Sequence, residues 1–398
     1  MLKKLVYFHI IPFFIACFVA VVYIFLQENT AGRNTIIVGK QTRLNGRFGN
    51  LLAGDSAEIN FIASIQNKSQ FNIFGSSEFN ELPVCPYNFF PDSLGIQMLG
   101  VGHAYHQSLG ILVELLAADE YIDSTNKMCF IISPGWFATA GTNTEAFVEF
   151  ARPNFLKRIT ESNTIPEQYK SEVGKYIAKN EQDFEGLSPT MEVLINQYKI
   201  FEKSGFSKLI ANINNYIQKK LSPAYSANKV EYDVELKYMK RKTWTNNFDS
   251  IANNCQKEFI KNITTNNLYV YDDYYTKYLS VDGAPYEQRE IAKIDTITNI
   301  EYQQFKALKK YLQYKNVDAS FVILPHNPYC YNNLSENSSF YSKMDQDLEK
   351  SGFSCYNLYV SDTANYDKGL LKDVMHLGDF GWMKVNKFIF ETYYDQDQ

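Results

Sequence analysis

Proline, glycine and positive charge are all scarce in this sequence. The 398 residues include only 12 Pro and 20 Gly, while 45% are hydrophobic and 15% aromatic. Disordered and collagen-like chains have the opposite composition, so both classes are excluded. The 39 Lys and Arg are fewer than the 44 Asp and Glu, which gives a net charge of −5. Without a basic excess, the chain is not expected to have a nucleic-acid partner.

Closely spaced cysteine pairs are absent as well. The cysteines are Cys17, Cys85, Cys129, Cys255, Cys330 and Cys355. Because none is arranged as C-x-x-C, neither a structural zinc site nor a thioredoxin-like centre is expected. Five of them follow the N-terminal segment, so at least one stays unpaired, and we favour buried free thiols.

Long apolar runs are missing too, with one exception at the N-terminus. Leu5–Leu26 is almost entirely apolar, and as a helix it would be about 33 Å long, enough to cross a bilayer core of ~30 Å. Lys3 and Lys4 precede it, so the positive-inside rule places the N-terminus in the cytoplasm and the rest of the chain outside the cell membrane. We predict an uncleaved single-pass anchor; the alternatives are a cleaved signal peptide and a lipoprotein signal at Cys17.

Short apolar runs that each end in a turn indicate the fold class. They are Phe71–Phe74, Met128–Ile132, Phe321–Leu324 and Cys355–Val360. Continuous apolar strands are typical of a parallel sheet that helices cover on both faces. Helical spacing over Phe305–Leu312 and Trp382–Ile389 supports this α/β prediction.

The chain is predicted to have three parts. Residues 1–27 form the anchor, residues 28–54 a polar tether with one short strand at 36–38, and residues 55–398 an extracytoplasmic α/β domain. From about residue 144 to residue 242 the apolar spacing is helical and is broken at Ser188-Pro189, which predicts a helical insertion. Lys237–Lys242 contains a basic cluster, either a solvated face or a contact for an anionic polymer or lipid headgroups.

The first candidate for chemistry follows the apolar run Phe71–Phe74. Gly75-Ser76-Ser77 stands at its carboxyl end, where parallel α/β folds expose reactive groups. We expect a helix to open there and to offer backbone N–H groups to an oxyanion. The alternative is that the serine only caps this helix.

The second candidate lies near the C-terminus. Asp373 precedes His376 by three residues, so a single turn can let the carboxylate accept from one imidazole nitrogen while the other nitrogen faces a serine. Alternatively, both residues only cap a helix over Asp379–Tyr394. Only the fold could bring His376 to Ser77.

Two other histidine motifs carry less weight. His103-x-x-His106 has no carboxylate or cysteine at ligand spacing, so ordinary surface or pocket lining is favoured over half a metal site. Pro325-His326-Asn327 ends a predicted strand at the same sheet edge as Ser77. For this Pro-bearing loop a structural turn is favoured over pocket lining.

The ordered set of motifs resembles the SGNH/GDSL hydrolase superfamily and, within it, the DltD family of D-alanyl-lipoteichoic acid biosynthesis proteins. The resemblance covers nearly the whole chain, from the N-terminal anchor and Gly75-Ser76-Ser77-Glu78 to Asp373–His376. The other matching residues are Gly102, Gln107-Ser108, Ser133-Pro134, Trp136-Phe137, Trp244, Asn267, Tyr274-Tyr275, Gly378 and Gly381-Trp382. The chain departs from the family pattern at Gly135, where a Gln is expected, and at Asn266–Tyr269, which lacks the usual Pro and Gly. A divergent member is indicated.

The resemblance implies a three-layer SGNH-like sandwich with a mainly parallel sheet and a serine-type site. Ser77 would be the nucleophile, with Ser76 as the fallback. His376 would act first as general base and then as general acid, and Asp373 would orient it.

It also implies an oxyanion hole and substrate contacts beside Ser77. The backbone N–H groups of Ser77 and Gly102 would be oxyanion donors, and Asn143 in Gly141-Thr142-Asn143 is the candidate for a third. Ser76 and Trp136 would lie next to the substrate.

By the same resemblance, the protein would transfer D-alanine to lipoteichoic or wall teichoic acid hydroxyls, without a cofactor or metal. Its partners would be a membrane-bound O-acyltransferase, the D-alanyl carrier machinery and the teichoic acid polymer. The alternatives are a surface esterase or O-acetyl transferase acting on another cell-envelope glycopolymer, and a non-catalytic scaffold of the D-alanylation machinery.

Overall fold

The structure is a computed structural model that describes residues 46–47, 57–79, 82–138, 141–202, 247–280 and 286–395. The predicted anchor at Leu5–Leu26, the predicted strand at residues 36–38 and the basic cluster within Lys237–Lys242 lie outside the described residues. So does the end of the predicted helical insertion. Within the described ranges, no helix has the length and apolar character needed to span a membrane.

The described strands form one sheet in which every pairing is parallel. The strands are β1 (Gly46–Arg47), β2 (Phe71–Phe74), β3 (Met98–Val101), β4 (Lys127–Ile132), β5 (Asp318–Ile323) and β6 (Ser354–Asn357). Their order across the sheet is β1-β3-β2-β4-β5-β6. The α/β prediction with a parallel sheet is therefore confirmed, and β2 and β4 lie at its centre.

Two features of the sheet differ from the sequence prediction. Strand β3 was not predicted, because Gly100 interrupts its short apolar run. A Cβ atom at Gly100 would lie 2.5 Å from Cδ1 of Tyr87, so the ring of Tyr87 fills the space of a side chain. Strand β6 ends at Asn357, three residues before the predicted Val360.

Three phenylalanines on neighbouring strands fix the register of the central sheet. Phe130 on β4 is paired with Phe74 on β2 and with Phe321 on β5. Its ring stacks on both, with 5.1 Å between ring centroids in each case. Each aromatic pair adds about 0.5–1.5 kcal/mol beyond burial, and a slip of one residue would turn these rings to the other face.

Eleven longer helices of the described chain surround the sheet. They are α1 (Ala57–Gln66), α2 (Pro86–Leu94), α3 (Ser108–Ala117), α4 (Thr144–Phe150), α5 (Pro153–Glu161), α6 (Glu167–Lys179), α7 (Pro189–Phe201), α8 (Phe248–Asn262), α9 (Ile300–Lys315), α10 (Ser338–Lys350) and α11 (Asp379–Tyr393). A helical turn at Asp272–Tyr274 continues into a π-helix at Tyr275–Leu279. Short 3₁₀ turns occur at Asp119–Tyr121, Pro134–Ala138, Glu181–Asp183 and Leu334–Asn337.

The helices bury both faces of the sheet because strand side chains alternate between them. Phe74 and Phe130 point to the larger core, which α1, α3–α7, α9 and α10 cover. Ile73 and Cys129 point to a second core beneath α2, α8 and α11. This alternation is the period-two pattern of a strand that is buried on both sides.

The region from Thr144 to Phe201 holds four consecutive helices, α4–α7. Ser188 caps α7, since its Oγ accepts from the Met191 N–H at 3.3 Å, and Pro189 opens the helix. This arrangement satisfies one orphan donor of the first turn. The helical spacing read from the sequence is confirmed over these residues.

None of the five cysteines in the described ranges is part of a disulfide. Cys85, Cys129 and Cys330 are buried, whereas Cys255 and Cys355 are half-buried. Burial raises the pKa of the Cys129 thiol to about 12, so this side chain behaves as a small apolar group.

Candidate active site

Ser77 lies in a tight turn directly after β2. The Gly75 N–H donates to the Val101 carbonyl of β3 at 3.1 Å, which keeps the turn at the sheet edge. The Phe79 N–H donates to the Ser76 carbonyl at 3.3 Å and closes the turn. The sequence prediction of a helix opening at Ser77 is wrong for the described residues: they form a turn, and the next described helix begins at Pro86.

His376 and Asp373 meet Ser77 across the fold. The Ser77 hydroxyl donates to Nε2 of His376 at 2.9 Å, and the Nδ1–H of His376 donates to Oδ2 of Asp373 at 2.8 Å. Ser77 is exposed, His376 is half-buried and Asp373 is buried. The three predicted catalytic residues are therefore joined by a continuous hydrogen-bonded chain.

The loop before α11 holds the Asp373 carboxylate in place. Oδ1 of Asp373 accepts from the backbone N–H groups of Met375 and His376, at 2.9 and 2.8 Å. The Lys372 N–H donates to the His376 carbonyl at 2.9 Å, which closes the loop on itself. This fold of the loop leaves Oδ2 for the imidazole and fixes the tautomer of His376.

Neighbouring segments clamp the same loop from outside. The Asn327 N–H, just after β5, donates to the Val374 carbonyl at 3.1 Å, and the Asn327 side chain donates to the Leu268 carbonyl at 2.9 Å. Thus the Pro325-His326-Asn327 segment has a structural role, as favoured from the sequence: it leads into a turn closed by the Cys330 N–H donating to the Asn327 carbonyl, and it supports the loop that carries His376. The His326 ring is buried against Tyr331, and burial lowers the pKa of His326 to about 3.

The charges of the site favour an imidazolium at His376. Burial lowers the pKa of His376, but the hydrogen bond and charge of Asp373, together with the charge of Glu78, outweigh it and raise the pKa above 6.5. Burial raises the pKa of Asp373, but its bonds to His376 and to the loop backbone outweigh that and lower the pKa below 3.8. The site can therefore stabilise the positive charge that appears when His376 accepts a proton.

Ser76 is enclosed, in contrast to Ser77. It is buried, its N–H donates to Oε2 of Glu78 at 2.7 Å, and its Oγ accepts from Nε1–H of Trp136 at 3.1 Å. These contacts leave Ser77 as the serine that faces both solvent and His376. Trp136, in the 3₁₀ turn after β4, therefore contacts the turn that carries Ser76 and Ser77.

Gly102 lies against the same turn and has no room for a side chain. Its φ is +153°, and a Cβ atom there would lie 2.0 Å from the carbonyl oxygen of Gly75. Only glycine allows this close approach, since the conformation and the contact both exclude other residues. The end of β3 is thus brought against Gly75, in the turn that also carries Ser77.

Asn143 has a structural contact that the sequence prediction did not anticipate. Its Oδ1 accepts from the Ala146 N–H at 2.7 Å, which makes it the N-cap of α4. An N-cap asparagine satisfies an orphan donor of the first helical turn. Since this contact engages its side chain, we leave Asn143 out of the proposed oxyanion hole.

Gly135 lies close to the loop that carries Asp373 and His376. A Cβ atom at Gly135 would meet the Ser133 Oγ at 3.6 Å and the Met375 Sδ at 3.7 Å, which are ordinary contact distances. A larger residue could therefore start here without a backbone clash. A side chain at this departure from the family pattern would therefore start in contact with Met375, the residue that precedes His376.

Sequence reasoning missed the buried pair His106 and Glu114, which lies beneath the turn that carries Ser77. Nδ1 of His106 lies 2.9 Å from the Gly75 carbonyl oxygen and must donate to it, because a carbonyl only accepts. Nε2 of His106 lies 3.0 Å from Oε2 of Glu114 on α3, and both side chains are almost inaccessible to solvent. The lone charge of Glu114 within the apolar helix α3 was the available signal, since buried charges need a partner.

Glu78 is the second residue of the site that the sequence analysis did not single out. It is buried directly after Ser77 and accepts from the Ser76 N–H. Its negative charge is one of the causes that raise the pKa of His376. Over the described ranges, no group of three or more His, Cys, Asp and Glu side chains is placed to hold a metal ion.

Comparisons with known proteins agree with the resemblance. A family model described as "DltD protein" matches residues 58–394. The curated Protein DltD of Bacillus subtilis (strain 168) is 23% identical over 345 residues, which cover 83% of this chain and 83% of that protein. The family match includes every residue of the Ser77, His376 and Asp373 chain.

Proposed function

Because this chain belongs to the DltD protein family, we propose that it is a serine-type acyltransferase that attaches D-alanine to the hydroxyl groups of lipoteichoic and wall teichoic acids. The observation that carries the proposal is the hydrogen-bonded chain from Ser77 through His376 to Asp373. A serine that only capped a helix would not need an imidazole, which in turn is held by a buried carboxylate.

The proposed reaction has two acyl-transfer steps. In the first, Ser77 Oγ attacks the carbonyl carbon of a D-alanyl ester or thioester while Nε2 of His376 takes the hydroxyl proton. The C–O or C–S bond to the carrier then breaks, and the leaving oxygen or sulfur receives that proton from His376. The product of this step is a D-alanyl ester of Ser77.

The second step moves the D-alanyl group from Ser77 to the polymer by the same kind of acyl transfer. A polyol hydroxyl of the polymer gives its proton to Nε2 of His376 and attacks the same carbonyl carbon. The bond to Ser77 Oγ breaks, and Ser77 recovers the proton. Throughout, Asp373 accepts from Nδ1–H and stabilises the imidazolium, in agreement with the raised pKa of His376.

The oxyanion of each step needs hydrogen-bond donors beside Ser77. We assign this role to the backbone N–H groups of Ser77 and Gly102, because the close packing of Gly102 on Gly75 brings the end of β3 to the turn. Since a turn and not a helix carries Ser77, these individual N–H groups would act without a helix dipole. Trp136 would keep the turn in position through Ser76.

The proposal extends to architecture and location. A parallel sheet with helices against both faces supports an SGNH-like sandwich for the body. Leu5–Leu26 would anchor the body to the outer side of the cell membrane. There it would meet a membrane-bound O-acyltransferase and the D-alanyl carrier machinery as partners.

Labelling with a serine-directed fluorophosphonate tests the catalytic part of the proposal. The full-length wild type should be labelled, and Ser77→Ala should not. Ser69→Ala is the matched control, because Ser69 is also exposed but precedes the amino end of the same strand. Equal labelling of wild type and Ser77→Ala would refute the role of Ser77 as nucleophile. If Ser77→Ala fully complements a deletion strain, the protein is a non-catalytic scaffold.

The D-alanine ester content of the cell envelope tests the substrate. A deletion strain should lose ester-linked D-alanine, and wild type but not Ser77→Ala should restore it. If the D-alanine ester content stays unchanged while sugar O-acetylation changes, the protein instead acts on another glycopolymer, as an O-acetyl transferase if O-acetylation falls or as an esterase if it rises.

A further inference from the structure

A groove between α9 and α10 lies next to the 3₁₀ turn Pro134–Ala138, which contacts the turn that carries Ser77. It has a volume of about 540 Å³ and is lined by Thr296, Ile297, Tyr302, Gln303, Lys306, Phe340 and Lys343. The Tyr302 and Phe340 rings are 5.1 Å apart between centroids and form an aromatic part of its lining. The groove is therefore concave, partly apolar and bordered by two cations.

The two lysines carry positive charge that the described residues do not neutralise. Among the residues that the structure describes, neither Lys306 nor Lys343 has a carboxylate within ion-pair distance; Lys306 instead lies 5.1 Å above the Tyr302 ring centroid. The nearby acids are engaged elsewhere. Asp347 pairs with Lys309, and Asp295 accepts from the Ile297 N–H at 2.9 Å.

One short turn connects this groove to the active site. The 3₁₀ turn Pro134–Ala138 contains Trp136, which donates to Ser76, and Phe137, whose ring packs 5.1 Å from that of Phe340. Asn299, at the start of α9, donates to the Phe137 carbonyl at 2.7 Å. A five-residue 3₁₀ turn is about 10 Å long. A flexible polymer could therefore reach the groove and the active site at once.

We propose that this groove binds phosphodiester groups of the polyol phosphate chain whose neighbouring hydroxyl is acylated at Ser77. Lysine ammonium groups bind phosphate as point charges, and the aromatic side chains can contact the apolar carbon backbone between phosphates. The inference rests on the proposed function, because it assigns a second contact to the proposed acceptor polymer. The concave shape favours a single chain over the flat surface of a bilayer.

Binding of a synthetic glycerol phosphate oligomer to the full-length chain in phosphatidylcholine nanodiscs tests the proposal. Each of Lys306→Gln and Lys343→Gln should weaken binding about two- to fivefold, and the double variant about tenfold. The control is the double variant Lys310→Gln and Lys350→Gln, on the same two helices but outside the groove lining. It makes the same change in net charge and should bind like wild type.

Two further arms of the experiment identify what is bound. A neutral polyol should not compete, because it lacks the phosphate. Added phosphatidylglycerol should leave the oligomer affinity unchanged; if it displaces the oligomer from wild type but not from the Lys306→Gln and Lys343→Gln double variant, the groove binds lipid headgroups and the proposal is overturned. Equal weakening in both double variants would also overturn it, since net charge alone would then explain the binding.

The fluorophosphonate assay separates this inference from the proposed function. All lysine variants should retain labelling of Ser77. Loss of oligomer binding with intact labelling supports the groove, whereas wild-type oligomer binding without any Ser77 labelling would refute the catalytic proposal and leave the groove supported. Oligomer binding that none of the groove variants changes refutes the groove alone.

Discussion

The buried pair His106 and Glu114 allows stability to be separated from activity. The two side chains face each other at 3.0 Å, and His106 also donates to the Gly75 carbonyl beneath Ser77. Removing one partner leaves a polar group in the core without its counterpart.

The changes to make are His106→Phe and Glu114→Leu, each alone and then together. His106→Phe alone leaves the Glu114 carboxyl buried and unpaired, which costs about 3–5 kcal/mol. At about 2 °C per kcal/mol for a large domain, the melting temperature should fall by roughly 6–10 °C. The double variant replaces the pair by apolar groups and should recover to within about 2 kcal/mol of wild type.

Activity should not recover with stability. In the double variant the Gly75 carbonyl lacks its donor, and the turn that presents Ser77 to His376 loses a fixed point. Fluorophosphonate labelling should therefore remain slow in the double variant, about tenfold below wild type for a loss of ~1.4 kcal/mol in positioning. Thermal unfolding by circular dichroism and the rate of labelling are the two measurements.

Two outcomes would refute this reasoning. If the destabilisations caused by His106→Phe and Glu114→Leu simply add in the double variant, the two residues are not energetically coupled. If the double variant regains both stability and a wild-type labelling rate, the donor to Gly75 has no role in positioning Ser77.

Three other predictions concern the hydrogen-bonded chain and its surroundings. Asp373→Asn should keep the fold but reduce the labelling rate by about 10³–10⁴, because the amide cannot stabilise the imidazolium; a loss below tenfold would contradict this. The labelling rate should rise with pH with a midpoint above 6.5, since only neutral His376 accepts a proton and its pKa is raised; a midpoint at or below 6.5 would contradict the direction of the shift. Gly102→Ala should destabilise the protein by more than about 3 kcal/mol in thermal or denaturant unfolding, because its Cβ atom would lie 2.0 Å from the Gly75 oxygen; wild-type stability would contradict the close packing.

The sequence could predict the site where chemistry and local pattern coincide. The apolar run Phe71–Phe74 followed by Gly75-Ser76-Ser77 indicated the strand and its polar end. The spacing from Asp373 to His376 indicated a turn that can hold an imidazole. Both features are local, and the hydrogen-bonded chain joins them as predicted.

The remaining features depend on contacts between distant segments, which local patterns do not specify. Strand β3 was not predicted, because Gly100 has no side chain and interrupts the apolar run. The sequence does not reveal that the Tyr87 ring fills the space of that side chain. His106 was interpreted as surface or pocket lining because its partner Glu114 lies two helical turns away. Conversely, Asn143 was considered for the oxyanion hole, although an asparagine just before a helix most often caps it.

The bond between Ser77 and His376 joins residues 299 positions apart in the sequence. Closing so long a loop is entropically expensive, and contacts of this range form late when a chain folds. Because α11 and the loop before it follow all six strands of the sheet in the sequence, a nascent chain would acquire a reactive serine only after α11 had docked. Labelling of Ser77 would therefore report the docking of α11, and a chain shortened before His376 would remain unreactive however much of its sheet had assembled.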